Sequence, residues 1–206
     1  MKNLILSVIS ILFLISSCAP VFSDLQSAKL VGKGNFEATP HFTTTSMTFD
    51  GETEHAQNHF GVQLGYGLFN RIDLRARYEY IDIEGDGGKA NIFGLGPKIS
   101  ILEDRIAAYL PVGFAFGGDV EGIEEIEFQP TLLFTIPAGR YVEINPSAKG
   151  ILSEEDFYLA FNLGLGLSTN YDLYVLRPEY GILVNPGEEG YYSQFSVGAT
   201  IYLFKK

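Results

Sequence analysis

Apolar and polar residues alternate with a period of two from about residue 33 to residue 203, a pattern typical of β-strands whose two faces meet different surroundings. In the third such stretch, Asp73, Arg75, Arg77 and Glu79 share one face, and apolar or aromatic residues occupy the other. A helical period is not found, so the pattern predicts an all-β protein and disfavours βαβ and α+β folds. Ten strands are predicted, near residues 33–43, 59–68, 72–82, 90–101, 105–117, 125–136, 141–152, 157–168, 172–184 and 191–203.

The predicted connections alternate in length. Four are short turns, at 69–71, 102–104, 137–140 and 169–171. The others are mostly longer and acidic, at 44–58, 83–89, 118–124, 153–156 and 185–190. One end of the sheet should therefore carry tight turns and the other end loops, which is the arrangement of an up-and-down transmembrane β-barrel.

The composition of the two faces favours a membrane barrel over a soluble sandwich. Opposite the apolar face, several strands carry small residues, such as Gly61, Gly65 and Gly67, which suit the inside of a narrow closed cylinder. The aromatic residues of the apolar face gather near the loop end, as in the girdle at a membrane interface. These are Phe42, Phe60, Tyr78, Tyr80, Phe93, Phe114, Phe116, Phe128, Phe157, Tyr180 and Tyr191.

Six prolines fall within predicted strands, where a proline removes one hydrogen bond from the ladder. Because a closed barrel has no free edge, bulges or local distortions are expected at Pro40, Pro97, Pro111, Pro130, Pro146 and Pro178.

Composition and charge narrow the function. The 206 residues carry a net charge of −11, which argues against a nucleic-acid partner, and 46% are hydrophobic, which excludes general disorder. A single cysteine excludes a disulfide framework and a multi-cysteine metal site. No cofactor is predicted.

The amino terminus has the features of an export signal. A short basic start precedes an apolar run over residues 4–15, which is too short to span a bilayer as a helix. The run ends in Ser16-Ser17-Cys18, which resembles a bacterial lipobox and implies that Cys18 becomes the lipid anchor of a lipoprotein. Ordinary cleavage after Ser23 is the alternative. The predicted organisation is a signal peptide at 1–18, a linker at 19–32 and a barrel at 33–206.

In this pattern the chain resembles the small bacterial outer-membrane β-barrel proteins of the OmpA-like or OmpX-like kind. Gly198, Ile201 and Leu203 loosely match the carboxyl-terminal assembly signal of that family. The resemblance implies contact with outer-membrane lipid and with the barrel assembly machinery, extracellular loops and periplasmic turns. An even number of strands places both termini in the periplasm, where a lipid on Cys18 would enter the inner leaflet.

The predicted inward face carries five bases and six acids, which nearly cancel. They are Arg75, Arg77, Lys98, Lys149 and Arg177 with Glu37, Asp73, Glu79, Glu127, Glu143 and Glu179. Because unpaired charges in a confined interior are unfavourable, this balance indicates pairing. Side chains can fill a lumen only slightly wider than that of an eight-stranded barrel. The hypothesis is a barrel closed by a charge network; the rival is a narrow, cation-preferring, porin-like channel.

The predicted extracellular mouth is acidic, which fits either a solvated surface or the binding of divalent cations or a cationic partner. Its acids include Glu84, Asp86, Asp119, Glu121, Glu154, Glu155, Glu188 and Glu189. The stretch 82–87 resembles half of a calcium loop, but Phe93 stands where the bidentate glutamate belongs.

Evidence for an enzyme is weak. His41 is predicted to point inward, and His55 and His59 lie four residues apart in or beside the longest loop, where a helix could let them share a metal. No third ligand and no fixed triad follow from the sequence. A structural or surface-interaction barrel is therefore predicted. A channel and a periplasmic lipoprotein barrel that binds a small ligand, with an apolar interior, are the alternatives.

Overall fold

The computed structural model describes residues 21–85, 88–154 and 156–203, without the side chains of residues 121–125. Among these residues, no helix is long and apolar enough to cross a membrane. The described residues form thirteen strand segments. They are β1 (Phe36–Phe49), β2 (Glu52–Phe69), β3 (Ile72–Ile83), β4 (Lys89–Leu102), β5 (Ile106–Tyr109), β6 (Val112–Gly117), β7 (Val120–Phe128), β8 (Thr131–Phe134), β9 (Ile136–Pro137), β10 (Val142–Leu152), β11 (Phe157–Leu167), β12 (Tyr174–Val184) and β13 (Tyr191–Leu203).

These segments form a closed antiparallel barrel of ten passes. β1 pairs with both β2 and β13, so the first and last passes lie side by side. β5 and β6 both pair with β4 and together make the fifth pass. β7, β8 and β9 all pair with β10 and together make the sixth pass. The prediction of an all-β, ten-stranded, up-and-down barrel is confirmed.

Every one of the six prolines lies where the ladder is interrupted. Between β1 and β13, pairing stops after Ala38 and resumes at His41, on either side of Pro40. Pro97 in β4 and Pro111 lie on the two sides of one gap in the pairing, and this gap separates β5 from β6. Pro130 lies in the gap between β7 and β8, and Pro146 lies in β10 opposite the gap between β8 and β9. Pro178 lies where the pairing of β11 with β12 is interrupted. Each gap follows from the missing N–H of proline.

The prediction of a long loop at 44–58 is wrong. β1 and β2 continue through this region and are joined by Asp50 and Gly51, whose positive φ values of 50° and 80° suit a tight hairpin. The β-branched threonines of this stretch favour the extended strands. The connection at 118–124 is also shorter than predicted, because β7 begins at Val120. We call this side of the barrel the loop end and the opposite side, which includes the turn at 70–71, the turn end.

The outer surface of the barrel is apolar and the inner surface is polar. Large hydrophobic side chains such as Leu64, Leu95 and Leu163 are exposed on the outside. Of the predicted girdle, Phe42, Phe60, Tyr78, Phe128, Phe157, Tyr180 and Tyr191 are exposed, and the rings of Phe42 and Phe60 lie 5.1 Å apart. This polarity is the reverse of that in a soluble barrel, where the apolar face points inward.

Candidate functional site: the lumen and the segment that crosses it

An eleven-residue segment of the chain lies inside the barrel. Residues 21–28 and Val31 are buried, and residues 29 and 30 are half-buried. We call residues 21–31 the lumen segment. The sequence pattern predicts a linker at 19–32 before the barrel and gives no sign that these residues enter it.

The lumen segment runs from the loop end to the turn end. Phe22 packs against Ile151, Ala160 and Leu183, which all lie near the loop-end limits of their strands. At the other end, Lys33 bridges to Gly67, and the N–H of Gly34 donates to the carbonyl of Gly67 at 2.8 Å. The chain reverses there and enters β1.

Lumen side chains bind the main chain of the first half of the segment. The N–H groups of Asp24 and Leu25 donate to the two carboxylate oxygens of Glu179, at 2.7 and 2.8 Å. Arg77 Nη1 donates to the carbonyl of Ser23 at 2.6 Å. Asn162 Nδ2 donates to the carbonyl of Phe22 at 2.8 Å. Backbone outside a sheet needs such partners when it is buried.

The second half of the segment is held in the same way. Lys98 Nζ donates to the carbonyls of Ser27 and Lys29, at 2.6 and 2.7 Å. The N–H of Ala28 donates to Thr135 Oγ1 at 2.7 Å, and the N–H of Val31 donates to Asp73 Oδ2 at 2.9 Å. The barrel wall thus recognises this peptide mainly through its backbone.

The segment also adds charges to the lumen. Asp24 Oδ1 lies 2.9 Å from Lys149 Nζ. Lys29 Nζ lies 2.6 Å from Glu143 Oε2, and Arg177 Nη1 lies 3.6 Å from the other oxygen of that carboxylate. Sequence reasoning missed Asp24 and Lys29 because they lie in a stretch without strand alternation.

Wall charges pair with each other as well. Arg75 contacts Glu37 and lies 3.3 Å from Asp73 Oδ2, and Arg77 Nε donates to Glu79 Oε1 at 2.5 Å. Of the eleven side chains assigned to the lumen from the sequence, ten are buried: Glu37, Asp73, Arg75, Arg77, Glu79, Lys98, Glu143, Lys149, Arg177 and Glu179. The eleventh, Glu127, is half-buried and accepts a hydrogen bond from Gln129 at 2.6 Å.

The segment leaves little free space where its middle meets the wall. Leu25 and Gln26 pack beside Asn145, Gly164 and Arg177, and the gap that they share has no room for a water molecule. At this level backbone as well as side chains occupy the lumen, whereas the inward-facing rows of the sequence predict side chains alone.

The three histidines do not meet at one site. His41 is buried, with Nε2 at 2.6 Å from Glu79 Oε1 and Nδ1 at 3.1 Å from the carbonyl of Thr39. His59 is buried with Nδ1 at 3.8 Å from Glu79 Oε2. His55 is exposed, because the register between β1 and β2 shifts at Ala56. The helix that would let His55 and His59 share a metal does not form, because both lie in β2, and no group of three potential metal ligands occurs among the described residues.

The acidic residues of the predicted mouth lie at the loop end where they are described. Glu84, Glu154, Glu188 and Glu189 are exposed, and Glu84 Oε2 lies 3.7 Å from His55 Nε2. Asp119 Oδ2 accepts the N–H of Lys89 at 2.7 Å. Asp86 and Glu155 fall outside the described residues, as does the side chain of Glu121. Binding of divalent cations at this end stays a prediction.

Gly67 provides a test of the path of the segment. A Cβ at Gly67 would lie 1.9 Å from the carbonyl oxygen of Gly32, where the chain turns out of the lumen. We expect Gly67→Ala to lower the free energy of unfolding by about 1–3 kcal/mol through this overpacking. Gly94 also faces the lumen, but its added Cβ would come no closer than 3.8 Å to any neighbour, so Gly94→Ala should stay within about 0.5 kcal/mol of the parent. Equal losses in urea titrations of the two variants would contradict the path described.

Comparisons with known proteins agree with this architecture. The outer membrane channel from Pseudomonas putida F1 has 10% sequence identity and a TM-score of 0.56, over 88% of this chain and all of that one. The fold is that of the bacterial outer-membrane β-barrels. Other similar structures are the attachment invasion locus protein Ail of Yersinia pestis (13% identity, TM-score 0.39, 83% of this chain and 99% of that one) and the N-terminal barrel of Pseudomonas aeruginosa OprF (10%, 0.35, 82% and 99%). No protein-family model matches the sequence, and a comparison with curated proteins finds no significant match.

Proposed function

We propose that this protein is a non-conducting, non-enzymatic barrel of the bacterial outer membrane, with a structural or surface-interaction role. Its turns face the periplasm and its acidic loop end faces the outside, as in other barrels of this fold. One observation carries the proposal: the lumen segment is fixed along its length by buried side chains, from Asn162 and Arg77 near Phe22 to Asp73 at Val31.

The alternatives have less support. A channel needs a continuous polar path, and the gap between the wall and Leu25 and Gln26 of the lumen segment has no room for a water molecule. A ligand-binding barrel of the soluble kind needs an apolar interior, and this wall carries buried ion pairs such as Arg77 with Glu79. An acid–base histidine must reach a substrate, and His41 and His59 are both buried.

The test is conductance of the purified, refolded full chain in a planar bilayer under a salt gradient. We expect inserted barrels to be silent, because the segment and its ion pairs occupy the lumen. A heat-dependent shift in gel mobility reports the folded barrel and excludes silence due to misfolding. Steady openings with a cation preference would overturn the proposal in favour of the channel and make the acidic loop end the element to mutate.

A further inference from the structure

We propose that the first hairpin carries a strand-addition site at the loop end, where an extended segment of another protein, with lysine or arginine at alternate positions, pairs with the free edge of β2. The site is the stretch Glu52–His55 at the start of β2, which we call the edge segment. The inference rests on the proposed function only in placing the loop end outside the cell.

The edge segment has a pairing neighbour on one side only. On that side, β1 pairs with β2 as far as Phe49 and Glu52. On the other side, the ladder with β3 ends at Gln57, and one further bond joins the N–H of Glu84 to the carbonyl of Ala56. In the described part of the chain, no backbone hydrogen bond reaches the edge segment from this side. Its main-chain N–H and C=O groups there are those of an open sheet edge, which another strand can pair with.

The geometry of this edge is fixed by its neighbours. The Asp50-Gly51 turn closes the hairpin, and β13 pairs with β1 up to Thr48. The hydroxyl oxygens of Thr48 and Thr53 lie 2.9 Å apart across the hairpin. All four side chains of the edge segment are exposed. A preformed, accessible edge lowers the ordering cost of binding, and the backbone bonds of the added strand supply affinity.

One face of the hairpin selects a basic partner. Glu52 lies opposite Phe49 and Glu54 lies opposite Met47, so these four side chains share a face. Phe49 is 52% exposed, which gives this face an accessible aromatic ring beside two carboxylates. An added strand places every second side chain on the same face. Lysine or arginine at those positions pairs with the carboxylates and contacts the ring.

A second copy of this chain is a poor occupant of the edge. Pairing two edge segments would bring Glu52 and Glu54 of one copy beside those of the other, and like charges across a strand pair are destabilising. The net charge of −11 adds to this repulsion. The occupant is therefore a segment of a different, basic protein.

The test measures, by fluorescence anisotropy, the binding of a labelled heptapeptide of alternating lysine and threonine to the refolded full chain in zwitterionic micelles. Two control peptides carry N-methyl groups, one on the lysine amides and one on the threonine amides, because an added strand presents only one of these rows to β2. The protein variant combines Glu52→Lys with Glu54→Lys. Its matched control combines Glu188→Lys with Glu189→Lys, which makes the same charge change at exposed loop-end positions away from the edge. Gel mobility shows that each variant is folded.

We expect the parent to bind the peptide and the edge variant to bind it about tenfold more weakly, since two attractive pairs become repulsive. The control variant should change affinity by no more than about twofold. One of the two N-methyl peptides should lose binding, and hydrogen exchange should show that the bound peptide protects the amides of the edge segment.

No binding by the parent, equal losses in the two variants, or unchanged binding of both N-methyl peptides would overturn the inference. Self-association of the parent through the edge segment would overturn it as well, because the occupant would then be a second copy. Binding in micelles depends neither on conductance nor on membrane orientation. Failure of this test therefore leaves the proposed closed barrel standing, and conductance by the full chain leaves the strand-addition site standing.

Discussion

Replacing Arg75 with alanine is expected to lower the free energy of unfolding of the barrel by about 3–5 kcal/mol, the usual effect of removing one partner from a buried ion pair. Arg75 is 4% exposed, and its guanidinium group pairs with two carboxylates, those of Glu37 and Asp73. Both carboxylates are buried and stay in the wall when the base is removed. Asp73 also accepts the N–H of Val31, so the lower half of the lumen segment should loosen with it.

Urea unfolding of the refolded barrel in detergent micelles, followed by gel mobility, measures this loss. Arg71→Ala is the matched control: Arg71 lies exposed in a turn and should change stability by no more than about 0.5 kcal/mol. Arg75→Lys keeps the charge but loses the paired donors, and an intermediate value is expected. If Arg75→Ala were as stable as Arg71→Ala, the wall charges would not form the stabilising network proposed for them.

The period-two alternation was enough to predict the fold. In a closed sheet the two faces have different surroundings, so apolar and polar residues alternate along its strands. Residues 72–82 were predicted as a strand, and β3 spans Ile72–Ile83. The alternation failed at 44–58, where polar residues occupy both faces. A strand pair that extends beyond the apolar band has no contrast between its faces, so only the Asp50-Gly51 turn signal could have indicated the hairpin.

The wall of the lumen was predictable for the same reason, and the lumen segment was not. Arg77 and Lys98 belong to inward-facing rows that the alternation identifies. The residues from Val21 to Val31 bind mainly through their backbone, and recognition of a backbone does not require a periodic pattern of side chains. One indirect signal was present: a narrow lumen with so many charged residues needs further polar partners, and main-chain N–H and C=O groups supply them.

Deleting residues 21–33 is expected to turn a silent barrel into one that conducts. The deletion removes the backbone that occupies the lumen, together with the bulk of Phe22 and Leu25 and the charges of Asp24 and Lys29. It leaves Glu179 and Lys98 without the main-chain partners that they have in the full chain. Water can hydrate these groups once the segment is gone, which gives ions a polar path through the wall charges.

The measurement is single-channel recording of the refolded truncated barrel beside the full chain, with the gel-mobility shift as the check that both are folded. A synthetic peptide of residues 21–31, added on the loop side, should reduce the openings, because the wall side chains recognise its backbone. A peptide of the same composition in scrambled order should block less, since only the native order places Phe22 against Ile151 while Asp24 meets Lys149. Silence of a folded truncated barrel would mean that wall side chains alone close the lumen, and the segment would then serve stability and not occlusion.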